Sequence, residues 1–201
     1  MIYIAHRINT VEELKYVPDT FGVEIDVRDV GGDLILAHDA FADGEKFSNF
    51  LKYYRHKLLV VNVKSFGIES QIIQELKNFN ITEFFFLDSA MSVIVQLSKG
   101  YQTHFSGRVS EFESIETVRL SKNLYDWVWI DCFTEYSLST EVYLNLHKIL
   151  NKKLCLTSPD LLNREFEIES HAKKILSTNC YPEAICTKLK NIETWQNFLG
   201  K

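Results

Sequence analysis

The chain of 201 residues carries 22 Lys and Arg against 27 Asp and Glu, a net charge of −5, with 46% apolar and 24% charged residues. This length holds one domain with a real core or two small ones. The acidic balance, with its cations scattered, excludes a basic footprint for nucleic acid or an anionic membrane surface.

No apolar run approaches the ~20 residues that span a bilayer. MIYIAHRINT has no basic region followed by a long apolar run, so it reads as a strand and not as a signal peptide. Without a C-x-x-C pair there is no thiolate zinc site, and Cys132, Cys155, Cys180 and Cys186 read as buried free thiols of a cytoplasmic protein.

In chain order, IYIA is a first strand and NTVEELKYV a first helix, with Asn9 or Thr10 as N-cap. VEIDV is a second strand, and the Gly31-Gly32 turn folds DLILAH back on it. KFSNFLKYYRHK is a helix and LLVVNVK a third strand. IESQIIQELKNF follows as a helix with Ile68, Ile72, Leu76 and Phe79 on one face. FFFLD is a fourth strand, and AMSVIVQLSKG a helix stopped at Gly100. A short polar fifth strand lies within QTHFSGRVS. SIETVRLSKNLY, STEVYLNLHKILN, EFEIESHAKKILST and NIETWQNFLG are helices around strands WVWID, KLCLT and EAICT.

Continuous apolar strands signal a parallel sheet covered on both faces. Eight strand–helix units predict a single α/β domain over residues 1–201, a compact (β/α)8 TIM-type barrel with outer helices. An open doubly wound sheet is the alternative, but no G-x-G-x-x-G follows the first strand.

Chemistry in such a barrel gathers at the C-terminal ends of the strands. There the sequence places His6 and Arg7, then Glu24, Asp26, His38 and Asp39, then Asn62 and Lys64, then Asp88 with Ser89. The later strands add Arg108, Ser110 and Glu111, then Asp131, Thr157 with Ser158, and Thr187 with Lys188. Glu24 and Asp26, two apart on a strand, point to one side. Two buried carboxylates that close repel unless one is protonated or a cation lies between them. Mg²⁺ or Ca²⁺, with oxygen ligands, is the simplest neutraliser. Asn62 and Lys64 repeat the spacing, offering an amide oxygen to a metal and an ammonium to a phosphate. Two histidines nearby supply an acid and a base for cleaving a P–O bond.

Each residue also has a structural reading. Glu-x-Asp recurs on half-exposed strands, His6 suits a core carbonyl, Arg7 suits an acid at the barrel mouth, and Lys64 an ion pair with Glu24. Asp39 suits a loop cap, and Asp88 and Asp131 suit caps of the helices that follow. His56, His104, His147 and His171 have no acidic company in sequence and read as structural or solvated, and Trp127 and Trp129 as core. The joint occurrence in strand order favours the site.

At these residues the sequence resembles the glycerophosphodiester phosphodiesterase family, in the superfamily of the phosphatidylinositol-specific phospholipases. That family carries His-Arg-Gly on its first strand, Glu-x-Asp on the second, His-Asp after a hairpin and Glu-x-Lys on the third. Here these read His6-Arg7-Ile8, Glu24-Ile25-Asp26, His38-Asp39 and Asn62-Val63-Lys64. The motifs cover about the first third of the chain. NVK, FFFLDSA and RVSEFE resemble a group of small bacterial relatives more closely.

The resemblance implies Glu24 and Asp26 as metal ligands and His6 and His38 as general acid and base; Asn62, in place of the family's acid, and Asp88 are the further candidate ligands. It implies Arg7 and Lys64 as neutralisers of charge on the phosphoryl oxygens. Asp39, Arg108, Glu111 and Asp131 are further site candidates. The substrate implied is a small glycerol-type or sugar-linked phosphodiester. The attacker is either water or a hydroxyl of the substrate, the latter giving a cyclic phosphate. The chain departs from the family at Ile8, at the missing Glu-Asn-Thr of the first helix, and at Asn62 in place of an acid. That last change also admits a barrel that binds a phosphorylated ligand without turnover. An aldolase-type use of Lys64 as an imine would not need two histidines and a Glu-x-Asp pair.

Overall fold

The computed structural model describes residues 1–99 and 104–200; Gly100, expected as a helix stop, and Gln102 and Thr103 of the fifth-strand segment lie outside them. In chain order the elements are β1 (Ile2–Ala5), α1 (Val11–Leu14), β2 (Gly22–Val30), β3 (Asp33–Leu36), β4 (Glu45–Lys46), α2 (Phe47–Tyr53), β5 (Leu58–Val63), α3 (Glu69–Asn78), β6 (Phe84–Leu87) and α4 (Met91–Ser98). They continue with β7 (Ser106–Val109), α5 (Ile115–Leu120), β8 (Trp127–Ile130), α6 (Thr140–Tyr143), β9 (Lys153–Thr157), α7 (Ile168–Thr178), β10 (Ala184–Thr187) and α8 (Ile192–Leu199). The expected alternation of strand and helix is present, interrupted by the run of β2, β3 and β4. The residues form two compact units, Met1–His6 with Ser106–Lys201, and Arg7–Phe105.

In the first unit, β1, β10, β9, β8 and β7 lie side by side, each pair parallel. Their register aligns Ala5 with Thr187, Cys186 with Thr157, Leu156 with Ile130, and Ile130 with Val109. The C-terminal ends of these strands therefore share one edge. Val128, Ile130, Leu154, Leu156 and Ile185 are fully buried, as strands covered on both faces require. Trp127 and Trp129 are core residues, as read from the sequence, and all four cysteines are buried.

In the second unit, β2 pairs in parallel with β5 and β5 with β6, while β3 and β4 add antiparallel strands beyond β2. All six residues of β5 are buried. Gly31 and Gly32 turn the hairpin at φ of 60° and 91°, conformations that cost glycine little. β4 was not apparent in the sequence. A Cβ on Gly44 would stand 2.2 Å from the carbonyl oxygen of Leu36, so the approach of β4 to β3 requires glycine there.

α1 is shorter than expected. Thr10 caps it with a full capping box closed by Glu13. Pro18 disfavours helical backbone at Val17, and the chain leaves through short turns at Tyr16 and Val17. α3 buries Ile68, Ile72 and Leu76 as its spacing predicts. Among the described residues no helix is long and apolar enough to cross a membrane.

Candidate functional site

The register of the second unit places Asp26 beside Asn62 and Asn62 beside Leu87, at the C-terminal ends of three parallel strands. Glu24 and Asp26, 0% and 1% exposed, point to the same face, and both carboxylates are held by named donors. Glu24 Oε2 accepts from the backbone N–H of Arg7 at 2.7 Å, and Oε1 accepts from the Asn62 amide at 3.0 Å. Asp26 Oδ2 accepts from the Asn9 amide at 2.9 Å, and the Asp26 N–H donates back to Asn9 Oδ1 at 2.8 Å. The Lys64 ammonium stands 3.5 Å from Asp26 Oδ1 and 3.5 Å from Asp88 Oδ2, and Arg7 Nε lies 3.7 Å from Asp26 Oδ2. The sequence reading assigns Lys64 an ion pair with Glu24; the structure sets Asp26 and Asp88 at salt-bridge distance from it.

Burial, then the charge of Asp26, push the Glu24 carboxyl up to about 7, against the Asn62 and Arg7 hydrogen bonds and the charge of Lys64. Asn62 Oδ1 is buried with no hydrogen-bond partner. A cation beside this pair would relieve the first condition and satisfy the second. The oxygen donors, two carboxylates and an amide, suit a hard divalent ion. The set is poor in charge: among the described residues no three His, Cys, Asp or Glu side chains gather as a metal cluster. Asp88 lies across Lys64 from Asp26.

Two backbone positions at this site are left-handed without being glycine, Arg7 at φ 57° and Asp88 at φ 63°. Such conformations cost about 1–3 kcal/mol and persist where surrounding contacts enforce them. For Arg7 that contact is the bond from its N–H to Glu24, with the next amide, Ile8, donating to the Glu24 carbonyl at 2.9 Å. His38 follows the hairpin, and its Nδ1 lies 2.7 Å from Asp39 Oδ1. This bond and the His38 charge hold the exposed Asp39 carboxyl below its ordinary range.

In the first unit, His6 follows β1 and its N–H donates to the Thr187 carbonyl at 2.9 Å. Arg108 Nε lies 3.3 Å from Asp131 Oδ2, while Asp131 Oδ1 accepts from the Trp129 indole at 3.0 Å. Glu111 is engaged as a loop anchor, accepting from the backbone N–H groups of Phe133, Thr134 and Glu135. Burial pushes its carboxyl up, but these bonds prevail and hold it down at about 2.

Three of the other histidines require a correction, because their acidic neighbours are distant in sequence or sit along a helix. His147 Nδ1 is 3.3 Å from Glu183, His171 Nε2 is 3.7 Å from Glu167, and His56 Nε2 is 3.9 Å from Asp19. His56 is nonetheless a core residue bound to the Val17 carbonyl at 2.8 Å. Asn9 and Arg28 are site residues that the sequence reading did not assign. Asn9 brackets Asp26, and Arg28 continues the alternation of Glu24 and Asp26 by one more step.

No protein-family model matches the chain, and no curated protein matches it in sequence. Solved structures do match in fold. A glycerophosphodiester phosphodiesterase from Agrobacterium tumefaciens str. C58 superposes with a TM-score of 0.65 at 10% identity, over 94% of this chain and 96% of that one. A glycerophosphoryl diester phosphodiesterase from Parabacteroides distasonis ATCC 8503 gives a TM-score of 0.67 at 13% identity, over 98% and 86%. At these identities the likeness is one of fold.

Proposed function

We propose that the protein is a metal-dependent phosphoric diester hydrolase acting on a small glycerol-type or sugar-linked phosphodiester. The observation that carries this reading is the buried Glu24–Asp26 pair, with the Lys64 ammonium 3.5 Å from Asp26 and the Asn62 amide donating to Glu24 while its Oδ1 is buried without a partner. The fold likeness to two phosphodiesterases supports it, as it supports closure of the strand–helix units into a (β/α)8 barrel.

In this reading Glu24 and Asp26 hold Mg²⁺ or Ca²⁺, with Asn62 Oδ1 as a neutral ligand and Asp88 as an outer acid. The ion's chemistry is Lewis-acid polarisation of a phosphoryl oxygen. Lys64 and Arg7 place positive charge against the phosphoryl oxygens as negative charge grows there. His38 and His6 divide the proton transfers, one taking a proton from the attacking water and the other delivering one to the leaving alkoxide. Asp39 orients the His38 ring through Nδ1, leaving Nε2 for the transfer.

Phosphorus NMR of the products from glycerophosphodiesters, with Mg²⁺ or Ca²⁺ present, tests this reading. It expects a phosphomonoester and a free alcohol, and loss of both with His6→Ala or His38→Ala. A cyclic phosphate would assign the chain to the lyase-type reaction instead. Binding of a phosphodiester with no product would assign it to ligand binding without turnover.

A further inference from the structure

Arg28 lies two residues beyond Asp26 on β2, on the face that carries Glu24 and Asp26. Its guanidinium reaches backbone carbonyls from two separate parts of the chain. Nη2 and Nε donate to the His38 carbonyl at 2.8 and 3.3 Å, and Nη1 donates to the Lys64 carbonyl at 3.0 Å. The adjoining backbone is tied to β2 as well. Ala37 N–H donates to the Asp26 carbonyl at 3.0 Å, and Lys64 N–H to the Val27 carbonyl at 2.9 Å.

We propose that Arg28 is a positioning residue that sets the His38 backbone against the Lys64 backbone, so that the imidazole and the ammonium address one phosphodiester. This rests on the reaction proposed above. A guanidinium is a rigid planar fork, and bonds from a charged donor are stronger than neutral ones. Two carbonyls held by one fork are therefore held at a fixed separation. The other anchor of His38 is Asp39, whose side chain is 84% exposed, where water competes for the contact. The backbone anchor carries more of the positioning.

A lysine at this position keeps the charge but directs its donors from a single point, and it cannot span both carbonyls as the fork does. The test compares wild type, Arg28→Lys and Arg28→Ala in two measurements. The first is amide hydrogen exchange over residues 36–39 and 63–66 without substrate, and the second is turnover of bis(p-nitrophenyl) phosphate. Both are run with and without millimolar guanidinium or methylammonium.

The expected result is exchange roughly tenfold or more faster in both segments of both variants, with turnover reduced by at least that factor. Guanidinium, and not methylammonium, should restore slow exchange and turnover to Arg28→Ala. Unchanged exchange in either segment, full turnover by Arg28→Lys, or equal rescue by methylammonium overturns the proposal. If Arg28→Ala does not fold, Arg28→Lys decides it by the same criteria. If the wild type turns over no phosphodiester, the reaction proposed above fails. The exchange measurement then still decides whether Arg28 joins the two segments.

Discussion

Asn62 donates its side-chain amide to Glu24 at 3.0 Å while its own carbonyl oxygen is buried without a partner. The residue thus stabilises one acid of the pair and keeps an acceptor in reserve. In Asn62→Asp the donor is lost and a third carboxylate faces Glu24, whose carboxyl is already pushed up by burial and by Asp26. With EDTA present, the variant should be less stable than wild type by about 1–3 kcal/mol in urea unfolding. Calorimetric titration should show Ca²⁺ or Mg²⁺ binding strengthened roughly tenfold, because ligand charge count sets affinity for hard cations. Equal metal affinity in the two proteins would remove Asn62 from the ligand set.

Lys64 lies 3.5 Å from the carboxylates of both Asp26 and Asp88. Lys64→Met keeps the aliphatic bulk and deletes the charge. Stability should fall by about 1–3 kcal/mol, since Asp26 is 1% exposed and loses a countercharge. Turnover of a phosphodiester should fall by ~10²–10³, the scale of losing one group that stabilises transition-state charge. A steady-state comparison with the wild type reads the second effect.

Arg7 separates a backbone demand from a side-chain demand. Its φ of 57° strains any residue with a Cβ, whereas its guanidinium lies beside Asp26. Arg7→Gly and Arg7→Ala should lose phosphodiester turnover to the same extent. Arg7→Gly should be the more stable of the two by about 1 kcal/mol in urea unfolding. Equal stability would mean that the left-handed conformation is not strained here.

His171 is 2% exposed, and burial, aided by the charges of Lys174 and Arg164, pushes its imidazole down to about 4 from 6.5. Between these values the unfolded chain binds the proton more readily than the folded one. The contribution of His171 is therefore present above pH 6.5 and lost as the pH falls towards about 4. Urea unfolding at a series of pH values should show this decline, and His171→Leu should flatten it by up to ~1.4 kcal/mol per pH unit. An unchanged slope would mean that the folded imidazole protonates as readily as the unfolded one.

Much of this site could be read from spacing. Glu24 and Asp26 are two apart, and the contacts of Glu24 with Asn62 and of Asp26 with Lys64 bear out the shared face. The hairpin at Gly31-Gly32 and the Thr10 cap were legible because their chemistry is local. Asn9 and Arg28 were not, because their partners are backbone groups and an acid 10 to 36 residues away, which no short motif marks. β4 escaped because two residues carry no periodicity, and α1 was overextended because its apolar pattern continues to Val17 although Pro18 ends helical backbone before it. His56, His147 and His171, read as lacking acidic company, found acids through tertiary contacts or a helix turn, and Glu111 found a loop to hold.

In the function proposed above, the Glu24–Asp26 pair binds a divalent cation for phosphodiester cleavage. Release of p-nitrophenol from bis(p-nitrophenyl) phosphate tests it most directly, with Mg²⁺, Ca²⁺ or EDTA, for wild type and Glu24→Ala. The prediction is turnover that requires the metal, is abolished by EDTA, and is lost in Glu24→Ala. Turnover that survives both EDTA and Glu24→Ala would contradict it.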